Sequence, residues 1–172
     1  ACALSEVSVV RRGKPRAILV ERAGAQQASI VLGSLSLNRS DPDYRALRLA
    51  NQVFGGGASS RLFMELRERQ SLTYGAYSSL DCGLLGGDLT AGLSTANDKA
   101  EAAVKALYVE LDRMATGDVS EDELAHAKRY LIGAFPQRAS GIAGVAALAN
   151  AGWLHSLPIE TWSHYQANVA AV

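Results

Sequence analysis

The chain has 172 residues, of which 48% are hydrophobic and 20% are charged, so it suits one domain with a buried core and excludes a disordered chain. Lysine and arginine number 17, as do aspartate and glutamate, and this neutral balance gives no electrostatic footprint for nucleic acid or an anionic membrane. No apolar run approaches the roughly 20 residues that a membrane-spanning helix needs.

The N-terminal part of the sequence predicts a linker followed by two strands. Residues 1–15 contain a basic cluster and a proline, and we interpret them as a solvated linker. Residues 17–22 and 28–34 are largely apolar and predict strands. We assign residues 16–172 to a single domain. Because the sequence starts with alanine and ends on apolar residues, we expect it to be excised from a longer chain.

Two predicted helices flank a glycine triplet. Ser40 or Asp41 can cap the first helix, whose apolar stripe ends at Phe54. The triplet Gly55-Gly56-Gly57 ends that helix, and a serine just beyond it can cap the next one. The second helix is predicted to bury Leu62, Phe63 and Leu66 and to direct its charged residues mostly outward, namely Arg61, Glu65, Arg67, Glu68 and Arg69.

The rest of the sequence predicts a hairpin and then helices. Residues 72–81 and 86–95 are separated by glycines and predict an antiparallel hairpin. The predicted helices are 98–116, one that begins at the capping box Ser120–Glu123, and two more near 138–156 and 159–170. Strands followed by helices predict an α+β fold, with a mainly antiparallel sheet of about four or more strands and helices packed on one face.

The segment Gly55-Gly56-Gly57-Ala58-Ser59-Ser60 is one candidate site. Backbone amides freed by glycine at a helix N-terminus attract anions, so phosphate or nucleotide binding is one interpretation. However, a helix pattern precedes the glycines, where a Walker-type loop follows a strand, and neither the segment nor the helix after it contains lysine. A tight helix-to-helix turn is the favoured interpretation.

No residues have the spacing of a metal or nucleophile site. His126 follows a glutamate by three positions, a spacing found in metal half-sites but more often in solvated contacts, and His155 and His164 have no such neighbour. The sequence contains neither HExxH nor HxxEH, and it has no G-x-S-x-G nucleophile elbow. Cys2 and Cys82 fit neither a disulfide framework nor a zinc spacing.

Arg67 and Tyr74 remain as candidates for chemistry. Arg67 ends a helix pattern, and Tyr74, seven positions later, opens the following strand pattern. A guanidinium and a phenol both donate hydrogen bonds to a carbonyl or a developing oxyanion. From these residues alone, the favoured interpretation is an ordinary helix-end arginine and a half-buried tyrosine without a role in chemistry.

The order of motifs carries a family resemblance. The segment from Gly55 to Arg61 is followed by Leu66-Arg67 and then by Leu72-Thr73-Tyr74, within a match from about residue 16 to the C-terminus. This order resembles the second, non-zinc-binding domain of the pitrilysin (insulinase) family of zinc peptidases, which includes bacterial zinc proteases and mitochondrial processing peptidase subunits. In that family two similar α+β domains face each other across a chamber. The first binds zinc through HxxEH and a distant glutamate.

The resemblance implies roles for Arg67 and Tyr74. In the family, an arginine and a tyrosine of the second domain hold the backbone carbonyl of the substrate and help to stabilise the tetrahedral intermediate. The resemblance also implies zinc in the parent protein or partner domain and none in this chain. The partner that it implies is an HxxEH-bearing domain or subunit, and the substrate is an extended peptide. The chain alone is expected to be inactive.

Other functions stay open at this point. Without HxxEH the chain fits the second half of a peptidase, or a subunit whose partner carries the zinc. A non-catalytic scaffold or assembly subunit of the same fold is one alternative, and the phosphate or nucleotide binder is another. Because a half-chamber lacks its cover, the isolated domain is expected to form homo-oligomers. The bacterial periplasm is the suspected compartment, with the cytoplasm and the mitochondrial matrix as alternatives.

Overall fold

A computed structural model describes residues 14–84 and 86–172. The predicted linker lies almost entirely outside these ranges, as does Cys2. The strands are β1 (Gln27–Ser36), β2 (Ala76–Cys82) and β3 (Gly87–Ala96). The helices are α1 (Tyr44–Phe54), a π-helix (Phe63–Arg69), α2 (Ala100–Ala115, after a 3-10 turn at Asn97–Lys99), α3 (Glu121–Arg138), α4 (Gly141–Leu154), α5 (Glu160–Ser163) and α6 (Tyr165–Ala170).

The described strands form one antiparallel sheet in the order β1-β3-β2. The predicted hairpin is confirmed: β2 and β3 pair with Tyr77 opposite Gly92, and β1 pairs with the other edge of β3 with Val31 opposite that glycine. The described residues contribute three strands to the sheet, where four or more are predicted. The predicted strand at 17–22 is wrong, because this segment is exposed and pairs with none of the described strands.

Helices pack on one face of this sheet, as predicted. The core joins α1, the π-helix, the sheet and α2, and its fully buried members include Leu62, Leu66 and Leu107. Burying each of these leucine side chains contributes about 1.5–3 kcal/mol. The opposite face carries Val31, Leu35 and Tyr77, all of them exposed. The alternation along β1 and β3 therefore separates a buried face from an open one.

A second core joins α1 to the C-terminal helices. Its buried members are Leu49, Val53, Ala127, Leu131, Tyr165 and Val169. The predicted capping box is confirmed at the start of α3, where the Glu123 amide donates to Ser120 Oγ and the Ser120 amide donates back to Glu123 Oε2. The helix predicted at 159–170 is two short helices, α5 and α6, which meet at His164. Of the helices in the described residues, none is long and apolar enough to cross a membrane.

Candidate functional site

Arg67 lies near the end of the π-helix, where its side chain is held against an aromatic ring. The guanidinium carbon is 4.6 Å from the centroid of the Phe63 ring, and Arg67 Nε is 3.6 Å from Glu68 Oε1. Phe63 is buried, and its ring centroid lies 5.8 Å from that of Tyr77 on β2. The buried ring therefore holds the Arg67 guanidinium in place, while 44% of the side chain stays exposed.

Tyr74 lies in the segment between the π-helix and β2, and it is 88% exposed. The predictions that Tyr74 opens the strand and is half-buried are therefore both wrong, since β2 begins two residues later at Ala76 and the side chain is exposed. Hydrogen bonds nevertheless anchor the backbone on both sides of it. Thr95 Oγ1 donates to the Leu72 carbonyl at 2.5 Å, and Thr73 Oγ1 donates to the Ser94 carbonyl at 2.7 Å. An exposed phenol on a well-anchored backbone is suited to contact a ligand.

The structure brings Arg67 and Tyr74 to the same concavity, which has a volume of about 630 Å³. Its other lining residues come from the start of β1, the segment before β2, the end of β3 and the turn before α2, and none of them is acidic. Lys99 lies on this wall, and its Nζ donates to the Ser71 carbonyl at 3.0 Å. The concavity therefore offers guanidinium and phenol donors to an acceptor oxygen, and Glu68, the carboxylate that pairs with Arg67, is not one of its lining residues.

The sequence did not reveal the rest of this concavity. Lys99, Gln26 and Gln27 reach it because β1 and β3 are adjacent in the sheet, a long-range pairing that no local pattern encodes. The contact between Phe63 and Arg67 could be predicted from the sequence, because residues four positions apart lie on the same face of a helix.

The glycine segment packs against the sheet. Ser78 of β2 donates its amide to the Gly55 carbonyl at 2.9 Å, and a Cβ on Gly55 would lie 2.3 Å from the Ser78 nitrogen. Two amides that a phosphate loop would use are already engaged: Gly55 donates to Asn51, and Ser60 donates to Gly57. These contacts favour the turn interpretation of this segment over an anion cradle.

Arg61 points inward, so the prediction of an outward side chain is wrong for this residue. It is 6% exposed, and its Nε and Nη2 donate to Glu123 at 2.6 and 2.8 Å. Nη2 also contacts the Asp118 carbonyl. The hydrogen bonds from Arg61 lower the pKa of Glu123 to about 2. This ion pair joins the segment after the glycines to the start of α3.

The histidines and the described cysteine do not assemble into a metal site. Glu123, the glutamate three positions before His126, is engaged by Arg61, and His126 Nδ1 instead lies 3.4 Å from Ser59 Oγ. Burial lowers the pKa of His155, with a further contribution from Arg39, and burial raises the pKa of Cys82. In residues 14–84 and 86–172, no three side chains of histidine, cysteine, aspartate or glutamate cluster as metal ligands.

A family model and the relatives found by sequence comparison agree on one family. Residues 5–131 match the model of the peptidase M16 inactive domain. The chain is 37% identical over 112 residues to an uncharacterized zinc protease of Streptomyces coelicolor, a match that covers 63% of the chain and 24% of that protein. It is 33% identical over 116 residues to a probable inactive metalloprotease of Bacillus subtilis, covering 66% of the chain and 26% of the relative.

The fold agrees with that of a solved structure. The chain superimposes on a peptidase M16 inactive domain from Pseudomonas fluorescens with a TM-score of 0.80 and 29% identity, covering 86% of this chain and 35% of that one. The chain thus spans about a quarter of the length of the curated relatives it matches. The resemblance predicted from the motifs around Arg67 and Tyr74 is confirmed at the level of the family. The chain belongs to the family of peptidase M16 inactive domains.

Proposed function

We propose that this chain is the substrate-binding domain that completes the active site of a zinc-dependent metalloendopeptidase acting on extended peptides. The observation that carries the proposal is the shared concavity of Arg67 and Tyr74. The printed names of the relatives, zinc protease and metalloprotease, support the reaction class. A family model of an inactive domain supports a role that depends on a second, active domain.

Arg67 and Tyr74 act on the substrate backbone in this proposal. The Arg67 guanidinium and the Tyr74 phenol donate hydrogen bonds to the carbonyl oxygen of the bound peptide, which gains negative charge during hydrolysis. Donors aimed at a developing oxyanion each contribute about 100- to 1000-fold to kcat in well-studied enzymes. Phe63 beneath Arg67 and the hydrogen bonds around Tyr74 keep both donors in place before the substrate arrives.

The zinc belongs to the partner in this proposal. The described residues offer no set of three ligands, so they do not fit a metal site of their own. An HxxEH-bearing domain or subunit would hold the metal and face the concavity. This chain's own contribution is to bind and orient the scissile carbonyl and to help keep bulk water away from it.

An extended peptide fits the position of β1. This strand is an edge of the described sheet, and Gln27, its first residue, lies on the wall of the concavity. A peptide paired to such an edge is recognised mainly through its backbone, which gives tolerance of side-chain sequence. The open face with Val31, Leu35 and Tyr77 is the surface on which we expect the isolated domain to self-associate.

Kinetics of the assembled enzyme test these roles. The chain is combined with its HxxEH-bearing domain or subunit, and peptidase kcat is measured for Tyr74→Phe and Arg67→Ala. We expect each variant to lose about 100-fold in kcat. Arg69→Ala is the matched control for the arginine, because Arg69 lies in the same π-helix and pairs with Glu65.

Tyr108→Phe is the control for the tyrosine, since Tyr108 is exposed on α2 and does not line the concavity. Both controls should stay near the wild-type rate. Rates within about twofold of wild type for both Tyr74→Phe and Arg67→Ala would remove their assigned roles.

A non-catalytic scaffold of the same fold is the second candidate. One observation favours it: the Bacillus subtilis relative bears the name of a probable inactive metalloprotease. The two candidates differ in their partner, because a scaffold needs no HxxEH-bearing domain. A partner that carries HxxEH and gains peptidase activity on assembly supports the first candidate and excludes the second.

A further inference from the structure

A second cleft lies away from the concavity of Arg67 and Tyr74 and shares none of its lining residues. It has a volume of about 230 Å³ and lies between the start of α1, α3 and the C-terminal helices. Its walls combine apolar and aromatic side chains, among them Leu131, Leu157, Trp162 and Tyr165, with three arginines, Arg39, Arg45 and Arg48. A more polar hollow of about 620 Å³ adjoins it and shares Arg39 and Arg48 with it.

Two of the three arginines of this cleft, Arg39 and Arg48, lie over aromatic rings, and none of the three has an ion pair among the described residues. The Arg39 guanidinium carbon lies 5.6 Å from the Tyr44 ring centroid and 5.3 Å from that of Trp162. The Arg48 guanidinium carbon lies 5.6 Å from the Tyr165 ring centroid. A ring covers the face of a guanidinium, whereas its N–H donors point outward in the plane. The ring contacts thus hold Arg39 and Arg48 in place and leave their N–H donors for an anion.

Two residues that line the cleft carry hydrogen-bonding atoms that are buried without a partner. Arg39 Nε and the Tyr165 hydroxyl have none in the described part of the chain. Tyr165 is 7% exposed and its ring stacks on Phe135 with centroids 4.1 Å apart, so the hydroxyl is held in position. An unpaired buried polar group is costly, so these two atoms favour any rearrangement of the cleft that gives them an acceptor.

The net charge of the cleft is positive. Asp41 is its single acidic lining residue, and Asp41 Oδ1 already accepts a hydrogen bond from the Asp43 amide at 2.9 Å. The lining residues therefore carry three positive charges and one negative charge. Burial is the main cause of the lowered pKa of His155, and the positive charge of Arg39 lowers it further. An anionic group is the complement of this arrangement.

We propose that this cleft binds a small molecule in which a carboxylate or phosphate is attached to an aromatic or apolar ring. The oxyanion would receive donors from Arg39 and Arg48, and the ring would lie against Trp162 and Leu131. The volume of about 230 Å³ fits a single ring with its charged group rather than a long chain. This site does not depend on peptidase activity, because Arg67 and Tyr74 are not part of it.

Tryptophan fluorescence of the full chain tests the proposal. The chain has two tryptophans, and Trp153→Phe leaves Trp162 as the sole reporter inside the cleft. Four probes are titrated: benzoate, phenyl phosphate, inorganic phosphate and neutral benzyl alcohol. We expect a saturable change with benzoate or phenyl phosphate, and the tighter of the two identifies the oxyanion. Equal affinity for benzyl alcohol and for both charged rings would overturn the proposal, as would no saturable change with any probe.

Substitutions locate the binding. Arg39→Gln and Arg48→Gln are each expected to weaken the better probe by about tenfold or more, as expected for the loss of a charge-assisted hydrogen bond. Tyr165→Phe keeps the stacked ring and tests the hydroxyl alone. Arg129→Gln, an exposed arginine of α3 that lines neither the cleft nor the adjoining hollow, should leave the affinity unchanged. If Arg39→Gln does not fold, Arg48→Gln decides, and unchanged affinity in Arg48→Gln then overturns the proposal.

Discussion

Glu123→Gln is expected to destabilise the domain, because it removes the charge from one half of a largely buried ion pair. Arg61 is 6% exposed and donates to Glu123 at 2.6 and 2.8 Å. Glutamine keeps an acceptor oxygen but not the negative charge, so the arginine is left buried without its carboxylate. Removing one partner of a fully buried pair costs roughly 3–5 kcal/mol.

The lowered pKa of Glu123 gives a second value for the stability that the ion pair contributes. Arg61 holds this pKa at about 2, below the ordinary value of 4.5, which corresponds to about 3 kcal/mol of stability at neutral pH before solvent screening. The Glu123 side chain is 34% exposed, and screening by water reduces that figure. We expect a loss of about 2 kcal/mol, or roughly 4–8 °C in Tm for a domain of this size.

The pH dependence of this loss has a definite sign. A carboxyl whose pKa is lower in the folded state contributes its stability above its unfolded pKa and loses it as the pH falls toward the folded pKa. Urea unfolding of wild type and Glu123→Gln, followed by circular dichroism, should therefore show a gap at pH 7 that narrows between about pH 4.5 and pH 2.

Glu101→Gln is the matched control for this measurement. It discharges the exposed pair with Lys105 on α2, and we expect a cost below about 0.5 kcal/mol. A stabilising role of the Arg61–Glu123 ion pair is refuted if Glu123→Gln costs no more than this control at neutral pH. It is also refuted if the gap between Glu123→Gln and wild type stays constant as the pH is lowered.

Two further predictions concern the glycine segment and the metal. Gly55→Ala should cost about 2 kcal/mol or more, whereas Gly57→Ala should cost less than about 1 kcal/mol. The reason is that the nearest atom to the new Cβ is the Ser78 nitrogen at 2.3 Å in the first case and a side-chain nitrogen at 3.5 Å in the second. Equal losses in urea unfolding would contradict this packing. The isolated chain, dialysed after exposure to zinc, should retain no stoichiometric metal, and elemental analysis that finds one zinc ion per chain would contradict the assignment of the metal to the partner.

Local patterns predicted most of the elements. The capping box starts α3, and the alternation in residues 86–95 gives β3 with one buried face. Residues 17–22 have a strand-like composition, but a strand exists only with a neighbour, and none of the described strands pairs with this segment. Composition indicates that a segment can form a strand, but the tertiary fold decides whether another strand lies beside it.

The side chains that sequence reasoning misplaced are those whose partners lie far away in the chain. The helical pattern predicts an outward Arg61, yet Glu123, at a separation of 62 residues, makes its burial tolerable. The sequence predicts that Tyr74 opens a strand, whereas hydrogen bonds from Thr73 and Thr95 hold an irregular segment before β2. The family resemblance, rather than the spacing alone, implies that Arg67 and Tyr74 share a site, and in the structure both residues line one concavity.

We propose that this chain completes a peptidase site that another domain begins. The rate of peptide hydrolysis by the zinc-bearing domain or subunit, measured with and without this chain, tests that proposal. We expect hydrolysis only when both are present, and no activity for either one alone. Hydrolysis at the same rate by the zinc-bearing partner without this chain would exclude the proposed role.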